Sequence, residues 1–119
     1  FEGEVANIKL EPSQLEDGSE QWHLEIKPLN IEIGGKTGFM HEWIRVPPKA
    51  TETSVPEGSV IDRYVQELEM LHKETKSMSK VSEVILFMKG KKYLWKKKKL
   101  GKAFEKHDAK EYWTPVQVL

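Results

Sequence analysis

Cysteine is absent from the 119 residues, which excludes disulfides, thiolate zinc sites and cysteine nucleophiles together and is compatible with a reducing compartment. No apolar run approaches the length of about 18 residues that marks a membrane-spanning helix, and no basic-then-apolar leader is visible. A soluble, cytoplasmic protein with no membrane partner is therefore expected. Net charge is lacking too, with 19 Lys and Arg against 19 Asp and Glu. The histidines, His23, His41, His72 and His107, stand in separate segments without the close spacing of a metal motif. The carboxylates do not concentrate as in a calcium loop, and no Ser sits in a G-x-S-x-G elbow. Gly34-Gly35-Lys36-Thr37 lacks the upstream Gly of a phosphate-binding loop and leads into a strand pattern. The expectation is a non-enzymatic chain with no catalytic residues, no metal and no cofactor.

What the chain does have is a concealed charge asymmetry. Residues 1–88 hold nine Lys and Arg and sixteen Asp and Glu (9 − 16 = −7), whereas residues 89–119 hold ten and three (10 − 3 = +7). Lys89 to Lys110 alone carries ten lysines against Glu105 and Asp108, interleaved with Tyr93, Trp95 and Phe104. Such a split points to an anionic partner, to pairing of acidic and basic ends between copies, or to a solvated face.

The length fits one domain over residues 1–119, large enough to bury about two thirds of the surface its unfolded chain exposes. Because the sequence opens on Phe1 instead of Met, a chain trimmed from a longer one is also expected. From Glu4 to Leu10, Ala6, Ile8 and Leu10 alternate with Val5, Asn7 and Lys9, which predicts a half-buried strand ended by Pro12. Trp22, Leu24 and Ile26 alternate with His23, Glu25 and Lys27 in a second strand, which Ile31 and Ile33 extend or restart beyond Pro28. After the Gly34-Gly35 turn, residues Thr37 to Val46 set Met40, Glu42, Ile44 and Val46 against Phe39, His41, Trp43 and Arg45. Ser59 with Asp62 makes a capping box. The spacing of Ile61, Tyr64, Val65, Leu68 and Leu71 then gives one amphipathic helix. Val81 to Met88 is expected to be a central strand, Gly90 a hairpin or bulge, and Glu111 to Leu119 a last strand that Pro115 confines to an edge.

Three strands, one helix and two further strands make the chain mainly β. That order resembles OB-fold single-stranded nucleic-acid-binding proteins, a likeness carried by element order across nearly the whole chain and not by a sequence signature. The resemblance implies a small Greek-key barrel of β-β-β-α-β-β order; an α+β sheet packed on one helix is the alternative. It also implies a partner, single-stranded DNA or RNA bound with little sequence preference. Lysines would follow the phosphates and exposed aromatics would stack on the bases. The candidate binding residues are Phe39, Trp43, Arg45, Lys89, Lys91, Lys92, Tyr93, Trp95, Lys96, Lys97, Lys98 and Lys99. Strand parity leaves Tyr93 and Trp95 open: they form a platform if Leu94 is core, and are core themselves if it is not. The acidic first loop, with Glu11, Glu16, Asp17 and Glu20, would repel phosphate and make binding one-sided. The rival reading is a protein-interaction or self-association module using the complementary ends.

Overall fold

Alternating apolar residues interrupted by Pro and Gly fold as a single antiparallel sheet in the computed structural model, which describes residues 1–13, 18–29, 38–48, 50–100 and 110–119. The strands are β1 (Glu2–Pro12), β2 (Glu20–Pro28), β3 (Met40–Val46), β4 (Lys92–Lys99) and β5 (Glu111–Val118). Between β3 and β4 come helix α1 (Val60–Leu71), one short 3-10 segment (Lys73–Ser77) and the brief helix α2 (Val81–Leu86). The spatial order is β3-β2-β1-β4-β5, so that the last hairpin returns to lie beside β1. The fold is mainly β, as its patterning implies, and the sheet is not closed by a ladder between β3 and β5. The predicted Gly34-Gly35 turn, Ile31, Ile33, Glu16, Asp17, Phe104 and His107 lie outside the described residues.

The expected parity holds on β2, where Trp22, Leu24 and Ile26 are all buried, and on β3, where Ile44 is buried while His41, Trp43 and Arg45 face out. It fails in β1. A register shift between Val5 and Asn7 lets both Val5 and Ile8 enter the core, because one extra residue flips every side chain beyond it, while Leu10, on the same face as Ile8, is exposed near the end of the strand. Pro115 does sit on an edge strand, β5, where its missing N–H costs no ladder bond on the outer side.

Helix α1 starts as predicted. The Ser59 hydroxyl accepts from the Asp62 N–H at 3.3 Å, and the Asp62 carboxylate accepts from the Gly58 N–H at 2.8 Å. Its buried stripe is Ile61, Tyr64 and Leu68, which packs across β3 and β5, the two ends of the sheet. The Tyr64 hydroxyl donates to the Trp113 carbonyl at 3.0 Å. At the same place the buried Glu42 carboxylate of β3 accepts from the Trp113 N–H of β5 at 2.8 Å. Both backbone groups of Trp113 are therefore held by side chains where a closed sheet would use a ladder.

Val81 to Met88 corrects the sequence reading: it is helix α2 and a following turn, not a central strand. Val84, Ile85 and Met88 are buried at i, i+1 and i+4, the spacing of one helical face, and in so short a run this competes evenly with a period of two. Gly90 then takes a φ of 80°, favourable to glycine alone, and donates to the Val5 carbonyl at 2.8 Å. That contact steers β4 into place beside β1.

Strand β4 carries the second correction. Tyr93 and Trp95 are core residues, not an exposed platform. Their rings meet edge to face at 5.6 Å, and the Trp95 indole donates to the Gly3 carbonyl at 3.1 Å. Gly3 permits this approach, since a Cβ there would stand 3.2 Å from the Trp95 indole nitrogen and 2.7 Å from the Ile26 side chain. The lysine run does not leave the strand after Trp95, because β4 continues to Lys99 beside β5.

Buried His72 links this core to pH. Its Nε2 lies 2.7 Å from the Tyr93 hydroxyl. Burial foremost, with the charge of Lys91, lowers its pKa against an opposing contribution from Glu74. The unfolded chain thus binds a proton at His72 before the folded chain does, so stability is expected to fall as pH drops below about 6.5, the ordinary histidine value. Urea midpoints at pH 7.5, 6 and 5 should show a loss that His72→Gln reduces. An identical pH profile in the variant would mean that other groups govern the acid limb.

Candidate nucleic-acid interface

The outer face of β2 and β3 is built by register. Gln21 stands opposite Arg45, His23 opposite Trp43 and Glu25 opposite His41. Because alternate residues share a face, the inward set of Trp22, Leu24, Ile26 and Ile44 fixes the outward set beside it. Trp43 is 40% exposed and Phe39, just before β3, is 49% exposed. The His23 ring stacks on Trp43 at 4.8 Å with an interplanar angle of 18°, and His41 lies nearly parallel to Trp43 at 5.7 Å. A three-ring platform results.

Glu11 of β1 anchors that platform from one side. Its carboxylate accepts from the Trp43 indole at 3.1 Å and the Gln21 amide at 3.0 Å, and it lies 3.4 Å from His23 Nδ1. Desolvation, the largest influence, raises its pKa. The Gln21 hydrogen bond, the His23 charge and the Trp43 and His23 hydrogen bonds together outweigh it, so the group is held below the ordinary carboxylate range. His23 Nε2 in turn lies 2.8 Å from His41 Nδ1. A groove of about 500 Å³ runs alongside, lined by Glu11, Ser13, Gln21, His23, Trp43, Arg45 and Lys110.

The structure gathers some of the predicted residues and separates others. Trp43 and Arg45 line the groove, and Phe39 flanks the same strand. Lys110, just before β5, also lines it, and its neighbour Glu111 pairs in register with Lys99 of the lysine run. Lys96 is exposed, Lys97 lies over the Trp113 ring at 5.1 Å, and Lys98 is tied to Glu67 of α1 at 3.2 Å. Lys92 opens β4, about 23 Å along the strand from Lys99 at 3.3 Å per residue, and Lys89 and Lys91 precede it. Lys91 covers the Phe87 ring there, at 4.1 Å. Tyr93 and Trp95 are withdrawn into the core.

Glu11, Gln21 and His23 belong to the cluster but were not among the sequence-derived candidates. The outward parity of β2 carried the signal for His23; its meeting with His41 depends on a cross-strand register that spacing alone does not provide. Among the described residues no group of three or more potential ligands could hold a metal ion. No described helix is long and apolar enough to cross a membrane.

The chain matches no family model, no curated protein and no solved structure. The functional reading accordingly rests on the geometry of this face.

Proposed function

We propose that the protein is a non-enzymatic OB-like domain that binds single-stranded DNA or RNA with little sequence preference across β2 and β3. The observation that carries this reading is the exposed Trp43, stacked with two histidines and bordered by the Arg45 and Lys110 cations of one groove. Unpaired bases stack on such a surface whatever their identity, and cations beside it neutralise the phosphates. The sheet order, with α1 across the β3 and β5 ends, supports a partly open Greek-key barrel of the kind that uses this face for oligonucleotides. Lys99 and Lys97 extend the cationic track, whereas Lys89, Lys91 and Lys92 stand too far along β4 to share a short strand.

Intrinsic Trp fluorescence titrated with single-stranded and duplex oligonucleotides tests the proposal. Trp22 and Trp95 are buried and Trp113 is half-buried, so the quenching lost in Trp43→Ala is the share that reports the platform. Trp43→Ala is expected to weaken binding by about 1–3 kcal/mol, the worth of one stacked base. With about four phosphate contacts, the logarithm of affinity should fall against that of salt with a slope near −3. Equal affinity for duplex, or an unchanged Trp43→Ala variant, would reject the stacking face. Salt-sensitive self-association with no binding to either strand form would transfer the assignment to the assembly module.

A further inference from the structure

The Glu11–His23–His41 chain dictates where protons sit on the platform. Carboxylate Oε2 faces His23 Nδ1, so in the neutral ring that nitrogen carries the hydrogen and Nε2 is an acceptor. His41 Nδ1, 2.8 Å away, must then be the donor, which leaves the lone pair of its neutral ring on Nε2. The next proton can join His41 Nε2 without disturbing any of these contacts and turns the His41–His23 hydrogen bond into a charge-assisted one. A second would place two imidazolium donors nitrogen to nitrogen and break the 2.8 Å contact. The contact is compatible with one added proton and not with two.

We propose that His41 is a proton-dependent ligand for phosphate, so that single-strand binding tightens as this pair takes up one proton; the inference rests on the binding face proposed above. The charged groups around it are Glu11 and Lys9 of β1, His23 and Glu25 of β2, Arg45 of β3 and Lys110 at the start of β5. Lys9 is bound to Glu25 at 3.2 Å, which offsets the carboxylate standing opposite His41 in register. Glu11 is engaged by three donors, and Arg45 and Lys110 line the adjoining groove, with the Lys110 ammonium over the Tyr112 ring at 5.0 Å. A cation gained at His41 thus joins the Arg45 and Lys110 cations along the groove beside Trp43.

The test is binding of a tetramethylrhodamine-labelled oligothymidylate, whose bases and dye do not titrate in this range, from pH 8 to pH 5.5 at fixed ionic strength. Far-UV circular dichroism at each pH verifies that the chain stays folded. The wild type should bind about tenfold tighter at pH 5.5, as expected of one added hydrogen bond to a charged group, and its salt slope should steepen by about 0.7. His41→Gln should flatten the pH dependence while keeping the pH 8 affinity, and His41→Lys should bind at pH 8 about as tightly as the wild type does at pH 5.5. Trp43→Ala should be weaker throughout yet still pH-dependent. Binding that is flat with pH, or an equal pH response in His41→Gln, overturns the proton-linked role and leaves the binding face standing. No binding at any pH overturns both.

Discussion

Trp95→Ala is expected to lower folding stability by about 3–5 kcal/mol, the range for emptying a buried tryptophan site. The residue is 0% exposed, its ring packs edge to face on Tyr93, and its indole donates to the Gly3 carbonyl. Truncation leaves a cavity in the interior and removes the indole hydrogen bond to Gly3, and the surrounding sheet collapses only in part. Since domains are stable by about 5–15 kcal/mol in total, the variant should be marginal at 37 °C. Lys96→Ala and Lys97→Ala, on the exposed surface of the same strand, should each change stability by about 0.5 kcal/mol or less. Urea denaturation of the three variants separates the two roles of β4. A loss below about 1 kcal/mol for Trp95→Ala would contradict its core placement and return the ring to the list of ligand-facing groups.

How much of this was legible depended on whether the local pattern could be read without its neighbours. β2, β3, the cap of α1 and the edge position of Pro115 were legible because alternation, a Ser-x-x-Asp start and a missing N–H each act within one element. The face of β1 was not, since one bulge between Val5 and Asn7 inverts parity and nothing in Val5-Ala6-Asn7 marks it. α2 was lost for another reason: Val81-Ser82-Glu83-Val84-Ile85-Leu86 is β-rich in composition, and tertiary burial of Val84, Ile85 and Met88 overrides that propensity. Of the four tryptophans, only position in the assembled sheet distinguishes Trp43, on the outer face, from Trp22 and Trp95 inside. The platform followed the same division. Trp43 and Arg45 could be named from parity, whereas Glu11, Gln21 and His23 join them through cross-strand pairing of residues ten or more apart.

Glu42 was the least conspicuous signal, a lone carboxylate in the inward series Met40, Glu42, Ile44 and Val46. A buried acid needs donors, and it has two: Oε1 accepts from the Trp43 N–H at 3.0 Å and Oε2 from the Trp113 N–H at 2.8 Å. Its charge, after burial, also helps raise the pKa values of Tyr64 and Tyr112, so both hydroxyls stay protonated and Tyr64 continues to donate to Trp113. Glu42→Ala is expected to cost about 2–4 kcal/mol, because hydrogen bonds to charged groups contribute about 1.5–3 kcal/mol each and the relief of carboxylate desolvation offsets part of the loss. Glu42→Gln separates charge from shape: its single amide oxygen can accept from one N–H, while the NH₂ group faces the other. A substantial loss is therefore expected there too. Tyr64→Phe should cost about 1 kcal/mol by leaving the Trp113 carbonyl unpaired. Native-state amide exchange gives the site-specific reading, with Trp113 N–H protection dropping in both Glu42 variants while the Leu24 and Ile26 amides of β2 keep theirs relative to global stability. Undiminished protection at Trp113 would mean that a backbone acceptor holds β5. The seam would then be a ladder, and Trp43 would owe its place on β3 to the β2 pairing alone.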